Sequence, residues 1–189
     1  MDVVVIGPPA DVIAKRHKLG LDLFDEVWDG EYHMVPTPTW DHQDMELRLA
    51  AAWLPLADAV GLKLVLEFNL IAPNEPGWRD FRVPDLVVFR ADVAEQRGVI
   101  GAAELAVEIR SPGDESFEKL PFYERVGVAE VLIIDRDTKA IRHWVHDGTV
   151  LVEHAPDATG RHRLRCLPVE LRTDDGHLIV NAAGTITTI

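Results

Sequence analysis

The sequence predicts an α/β fold in which a central mixed sheet is flanked by helices and extended by extra antiparallel strands at the carboxyl end. Three apolar runs of strand length form the basis of this prediction: Leu86 to Phe89, Leu105 to Ile109 and Val131 to Ile134. Short continuous apolar runs are typical of strands buried on both faces. A helical segment separates the second run from the third, which predicts a right-handed strand–helix–strand crossover.

Two helices are expected to flank this sheet. The first is capped by Thr39 and runs from Asp41 to about Ala59, unless Pro55 kinks it or ends it early. Apolar residues recur along one face of this helix at Met45, Leu49, Trp53 and Leu56. The second helix is expected to begin near Glu118, because Pro121 is tolerated only in a first turn.

The segments around these helices predict further strands. Glu26 to Val35 has the pattern of a β-hairpin, with Asp29-Gly30 as its turn and Glu31 directly after it. Residues 62–72 predict one strand in the middle of a sheet. In the polar loop that follows, Trp78 and Phe81 are candidates for stacking on an unpaired base, although loop aromatics more commonly pack on the core.

Length and composition favour one domain that spans residues 1–189. The chain is 47% hydrophobic, so it can bury a sizeable core. Its apolar stretches are too short for a transmembrane helix and its amino terminus lacks the pattern of a signal peptide, so we expect a cytoplasmic protein without membrane contact. Cys166 is the single cysteine, which agrees with a reducing compartment.

Two of the predicted strands carry a carboxylate at one end. Asp85 opens the first run and Glu108 closes the second. If these strands pair antiparallel, both carboxylates lie at one sheet edge. Carboxylate oxygens suit Mg²⁺, and the peptide carbonyl of Ile109 could add a third protein oxygen. A cation at this edge polarises a phosphodiester and lowers the pKa of bound water. The arrangement therefore predicts metal-assisted hydrolysis.

The segments VPDLVVF, AVEIRSPGDES and EKLPFYERVGVAEVLIIDRDTKAI follow one another in this order. Together with WDGEYHMVPTPTWDHQDMELRLAAAW upstream, they resemble the Uma-family endonucleases, a branch of the PD-(D/E)XK restriction-nuclease superfamily. The resemblance covers residues 26–144. It implies a restriction-endonuclease-like fold, hydrolysis of phosphodiester bonds in DNA with Mg²⁺ or Mn²⁺, and a symmetric homodimer.

The resemblance also assigns roles to individual side chains. It makes Asp85 and Glu108 the metal ligands and Glu31 a further acidic ligand or water-positioning group. Arg110 occupies the position at which the superfamily has its lysine. In the Uma family a lysine on the following helix is thought to take over this role, and in this sequence that lysine is Lys119. Arg110 stays charged and cannot act as a base, but it can clamp a phosphate or stabilise its developing charge.

The charge balance counts against tight, non-specific DNA binding. The chain has 32 acidic and 19 basic residues, for a net charge of −13, whereas proteins that grip duplex DNA usually present a basic face. Two alternatives to a nuclease therefore stay open: a binding or assembly module that keeps the fold without its chemistry, and a metal-dependent hydrolase of a small phosphorylated substrate. The plain alternative for the acidic pair is that both residues simply cap strand ends at the surface.

Overall fold

A computed structural model describes residues 4–73 and 79–189, so the predicted role of Trp78 lies outside the described residues. Within these ranges the helices are α1 (Ala10–Leu19), α2 (Trp40–Ala59) and α3 (Leu120–Val126). The strands are β1 (Val5–Ile6), β2 (Glu26–Trp28), β3 (Glu31–Met34), β4 (Lys63–Leu66), β5 (Asn69–Ile71), β6 (Phe81–Arg82), β7 (Leu86–Phe89), β8 (Ala94–Glu95), β9 (Gly98–Ile100), β10 (Leu105–Arg110), β11 (Glu130–Asp135), β12 (Ile141–His146), β13 (Leu151–Glu153), β14 (His162–Arg163), β15 (Val169–Asp174), β16 (His177–Ala182) and β17 (Thr185–Thr188).

The central sheet is mixed, as predicted. Its strand order is β13-β12-β11-β10-β7-β4, with β10 parallel to β11 and the remaining neighbours antiparallel. The chain passes from β10 through α3 to β11, which is the predicted strand–helix–strand connection. Every residue of β7 is buried, and so are the first five residues of both β10 and β11, which explains their continuous apolar pattern.

One face of this sheet is covered by α2 and by a separate four-stranded antiparallel sheet. That sheet has the order β14-β15-β16-β17 and supplies the extra carboxyl-terminal strands. Leu49 and Trp53 of α2 pack in one cluster with Leu105 of β10 and Leu171 of β15. Both side chains of α2 are fully buried, so this contact fixes the helix against the sheet.

The opposite face is covered by α3 and by the third sheet. Phe122 and Tyr123 of α3 pack with Leu70, Val99 and Val131 in a second cluster. In the described residues the third sheet has the order β1-β3-β2-β6-β5-β9-β8 and contains the predicted hairpin. Asp29 and Gly30 form its turn with φ angles of 49° and 90°, the positive values that a type I′ turn requires.

Two local predictions differ from the structure, at residues 62–72 and at the start of α3, whereas the predicted extent of α2 to Ala59 is confirmed. Residues 62–72 form two strands in different sheets, because the chain turns at Glu67, which has φ 49°. Helix α2 does not end at Pro55, since burial of Trp53 and Ala57 on either side holds the last turn against the core. Helix α3 begins at Leu120 rather than near Glu118, with Lys119 at its N-cap position.

Candidate active site

The pairing of β7 with β10 brings the two predicted carboxylates to one pocket. Leu86 pairs with Val107 in the antiparallel register, so Asp85 and Glu108 follow at the same edge. The backbone N–H of Ile109 donates a hydrogen bond to Asp85 Oδ2. Asp85, Glu108 and Ile109 all line one pocket, so the register that the sequence implied produces the expected convergence.

Lys119 enters this pocket from the start of α3. Its Nζ lies 3.0 Å from Glu108 Oε2 and 2.9 Å from Glu26 Oε1. Tyr123, one turn further along α3, donates its hydroxyl to Glu108 Oε1. Both oxygens of Glu108 therefore contact side chains of the same helix.

Burial and neighbouring charges together set the pKa values of Glu108 and Lys119. Burial raises the pKa of Glu108 above its ordinary value; Lys119 opposes the rise, and Asp85 adds to it. Burial lowers the pKa of Lys119, but the charges of Glu108 and Glu26 outweigh burial and hold that pKa above its usual value. Lys119 is therefore a protonated ammonium at neutral pH, and it cannot act as a base there.

His42 contacts the other carboxylate of the pair. It lies in the first turn of α2, and its Nε2 is 3.4 Å from Asp85 Oδ1. Burial lowers the pKa of His42, but its hydrogen bond to Asp85 and the charge of Asp85 outweigh burial and leave the pKa raised. His42 and the Ile109 amide together hold the orientation of the Asp85 carboxylate.

Two further acids adjoin Asp85 that the sequence analysis did not single out. Glu46 is 3% exposed, and its Oε1 is buried without a hydrogen-bond partner. Burial raises the pKa of Glu46 to about 8, and the charges of Asp85 and Glu67 add to the rise. Glu67 lines the pocket at the turn between β4 and β5, and burial and Asp85 raise its pKa also. A sequence signal exists for Glu46, because it lies four residues after His42 on the face that continues to Leu49.

Not every predicted residue reaches the pocket. Glu31 is exposed at the turn end of the β2–β3 hairpin, and Glu26 at the base of the same hairpin occupies the pocket instead. Glu26 is 1% exposed and also accepts the Val83 N–H at 2.7 Å. Arg110 pairs with Asp135 at 2.9 Å and does not line the pocket. Of the two basic candidates, the structure brings only Lys119 to the carboxylates.

A comparison with known families identifies the chain. The family profile that matches it is Uma2, described as a putative restriction endonuclease, and the match covers residues 22–174. The chain belongs to the Uma2 family. The match includes each acid described above as well as Lys119, so all of them lie inside the Uma2 region.

A solved structure shows a similar fold. It is described as a putative nuclease belonging to DUF820 from Anabaena variabilis, and it matches this Uma2 chain with a TM-score of 0.55 and 18% sequence identity. The match covers 71% of this chain and 78% of that chain. A search of curated proteins finds no match. The restriction-endonuclease-like fold predicted from the sequence is thereby confirmed.

The residues present fit a divalent cation, which restriction-endonuclease-like families generally use. Within residues 4–73 and 79–189, no three His, Cys, Asp or Glu side chains are grouped to hold a metal ion by themselves. Mg²⁺ does not need such a cage, because one or two carboxylates with waters and substrate phosphate suffice. Burial is the main cause that raises the pKa of Glu46, Glu67 and Glu108, and the charge of Asp85 adds to each rise. A cation held by Asp85 in the pocket would offset that added contribution.

The described residues contain no helix that is both long and apolar enough to cross a membrane.

Proposed function

We propose that this protein is a divalent-metal-dependent nuclease that hydrolyses phosphodiester bonds in nucleic acid, with DNA as the expected substrate and Mg²⁺ or Mn²⁺ as the cofactor. The observation that carries the proposal is the convergence of Asp85, Glu108 and Lys119 in one pocket of an Uma2-family chain. We further propose that residues 1–189 act as one domain and that the protein works as a homodimer in the cytoplasm.

Asp85 and Glu108 are the residues that would hold the cation, and the Ile109 carbonyl is a third candidate oxygen. His42 and the Ile109 amide orient Asp85 for this role. A bound divalent ion supplies charge stabilisation to the phosphoryl oxygens and lowers the pKa of bound water. Glu67 also lines the pocket, and the charge of Asp85 adds to the burial that raises the pKa of both Glu46 and Glu67, so both acids would respond to a cation held by Asp85.

Lys119 takes the role that the family assigns to a lysine. Because it is protonated, it stabilises negative charge that develops on the phosphate rather than removing a proton from water. Glu26 is the positioning residue in this scheme, since it contacts the same ammonium as Glu108. Arg110 and Glu31 have no direct part, because both lie outside the pocket lining.

A specific contact pattern favours one second candidate, a module that keeps the nuclease fold without its chemistry. Both oxygens of Glu108 already contact side chains, Oε1 with Tyr123 and Oε2 with Lys119. If these contacts persist, neither oxygen of Glu108 is free to bind a cation. Metal binding therefore distinguishes the two candidates.

The first experiment is a calorimetric titration of Mn²⁺ and of Mg²⁺ into the protein and into the Asp85→Asn variant. We expect binding to the native chain and its loss in the variant, because the variant keeps the shape of Asp85 but removes its charge. Glu31→Gln is the matched control: it removes one acidic charge outside the pocket and should bind the metal as the native protein does.

Nuclease activity is then measured on labelled single- and double-stranded DNA. Metal binding with cleavage that disappears in Asp85→Asn and in Lys119→Met supports the nuclease. Failure of the native protein to bind either ion, alone or with an oligonucleotide present, would exclude it and favour the non-catalytic module.

A further inference from the structure

Arg136 links two segments of the chain that meet beside the candidate active site. It directly follows β11, and its side chain is only 15% exposed. Its Nη1 donates a hydrogen bond to the Thr39 hydroxyl at 3.0 Å, and its Nε lies 3.5 Å from Asp41 Oδ2. Thr39 is the N-cap residue of α2, and Asp41 is in the first turn of that helix. One guanidinium therefore contacts the amino end of α2 at two points.

The main chain of Arg136 is bonded to the other segment, the end of β10. Its N–H donates to the Arg110 carbonyl at 2.9 Å, and its Nη1 also reaches Ser111 Oγ at 3.4 Å. Arg110 is the last residue of β10, and Ser111 lines the pocket, as Thr39 does. The side chain of Arg136 therefore ties the start of α2 to the end of β10.

These two segments carry the groups that hold Asp85. His42, one residue after Asp41, has its Nε2 3.4 Å from Asp85 Oδ1. The N–H of Ile109, one residue before Arg110, donates to Asp85 Oδ2. The carboxylate is thus held between α2 and β10, so its orientation depends on how these two segments are placed.

Core packing holds α2 mainly beyond its first turn. Met45 and Leu49 are fully buried, whereas Trp40 at the start of the helix is 80% exposed. Polar contacts therefore matter more for the first turn, and Arg136 supplies two of them. A guanidinium suits this role, because its planar fork of donors contacts several acceptors at once, whereas a lysine ammonium is a single point of charge on a flexible stem.

We infer that Arg136 is a positioning residue that fixes the orientation of the Asp85 carboxylate in the pocket. It acts through the two segments that it joins. The inference rests on the proposed nuclease function for its consequence, because Asp85 is a proposed ligand of the cation. Groups that orient a metal ligand from outside typically change metal affinity or activity about 10- to 100-fold when they are removed.

The test is amide hydrogen exchange in the metal-free protein, followed by NMR. The Ile109 N–H bonds to the Asp85 side chain, so its exchange rate reports how firmly that carboxylate is held. We expect this amide to exchange about 10-fold faster in Arg136→Gln, because a hydrogen bond to a charged group is weakened, while the other amides of β10 keep their native rates. Arg136→Lys should behave like Arg136→Gln, since it keeps the charge but not the fork of donors.

Arg142→Gln is the matched control, because Arg142 is an arginine of the neighbouring strand β12 that pairs with Glu153 at the surface. It should leave the Ile109 amide unchanged. Equal acceleration of all β10 amides in Arg136→Gln would indicate a general loss of stability and overturn the inference. So would an unchanged Ile109 amide in Arg136→Gln, or native exchange in Arg136→Lys, which would mean that charge alone is sufficient.

A titration with Mn²⁺ separates this inference from the proposed function. We expect Arg136→Gln to bind Mn²⁺ about 10-fold more weakly than the native protein does. If the native protein binds no Mn²⁺ but the Ile109 amide still responds to Arg136→Gln, the positioning role stands and the nuclease is rejected. If Mn²⁺ binding depends on Asp85 and neither measurement changes in Arg136→Gln, the nuclease stands and the positioning role is rejected.

Discussion

Replacing Lys119 by methionine is expected to destabilise the metal-free protein by about 3–5 kcal/mol at neutral pH. The buried carboxylates of Glu26 and Glu108 lose their cation, so each either stays charged without a partner or takes up a proton. The ammonium lies 2.9 Å from Glu26 and 3.0 Å from Glu108, whose side chains are only 2% and 4% exposed. At this degree of burial, water compensates only in part for the lost ammonium. Methionine keeps the length and the apolar stem of lysine, so the change mainly removes charge.

The assay is urea unfolding in EDTA, followed by circular dichroism, with thermal unfolding as a second readout. For a chain of this size the loss corresponds to a fall in Tm of about 6–20 °C. Arg110→Met is the matched control. Its ion pair with Asp135 has side chains that are 34% and 21% exposed, so its loss should cost about 1 kcal/mol or less.

A second substitution and added Mg²⁺ each test whether unpaired negative charge causes the loss of stability in Lys119→Met. Glu26→Gln in the Lys119→Met background should recover part of the stability, because it removes one of the stranded charges. Mg²⁺ should stabilise Lys119→Met more than it stabilises the native protein, because the ion no longer competes with an ammonium. A cost below about 1 kcal/mol for Lys119→Met, or further destabilisation by Glu26→Gln, would refute the charge argument.

Two further predictions concern pH and the carboxyl-terminal sheet. Burial raises the pKa of Glu46 from an ordinary 4.5 to about 8. The stability that protonated Glu46 contributes is therefore fully present below pH 4.5 and is lost as the pH rises through about 8. Glu46→Gln should flatten that fall in urea unfolding with EDTA, and an unchanged slope would contradict it. Glu130 is 1% exposed and accepts the N–H groups of Arg165 and Cys166. Burial raises the pKa of Glu130, but the hydrogen bonds from His143 and from those amides outweigh burial, so the pKa is lowered in the folded protein. The stability that Glu130 contributes is therefore present above the ordinary pKa of 4.5 and is lost as pH falls through the lower pKa of the folded state. Glu130→Ala should cost about 1–3 kcal/mol near neutral pH through unpaired amides, and a smaller loss would argue that water replaces the carboxylate.

The sequence predicts the central part of the site because that part depends on local order. The antiparallel pairing of two neighbouring apolar runs was enough to bring Asp85 and Glu108 together. Which acid of the hairpin joins them depends instead on how the hairpin docks. Glu26 and Glu31 flank the same turn, and the sequence analysis favoured Glu31, the residue that the family pattern offered.

Glu46 and Glu67 were missed for different reasons. Glu46 follows the buried Met45 and lies on the His42 face of α2, so a carboxylate within an apolar stripe was a usable signal. Glu67 is in the pocket because the chain leaves one sheet and enters another there, with a positive φ. A continuous apolar run gives no indication of such a break, since the same letters suit one long strand or two short ones.

The contacts of Lys119 have a consequence for the order in which the fold assembles. Lys119 and Glu108 are 11 positions apart, and the Ile109 amide and Asp85 are 24 apart. Glu26 instead reaches Val83 across 57 positions. Contacts that close shorter loops form at a lower entropic cost and tend to form sooner. We therefore expect Lys119, Glu108 and Asp85 to come together early in folding. The hairpin then brings Glu26 to an ammonium that is already in place.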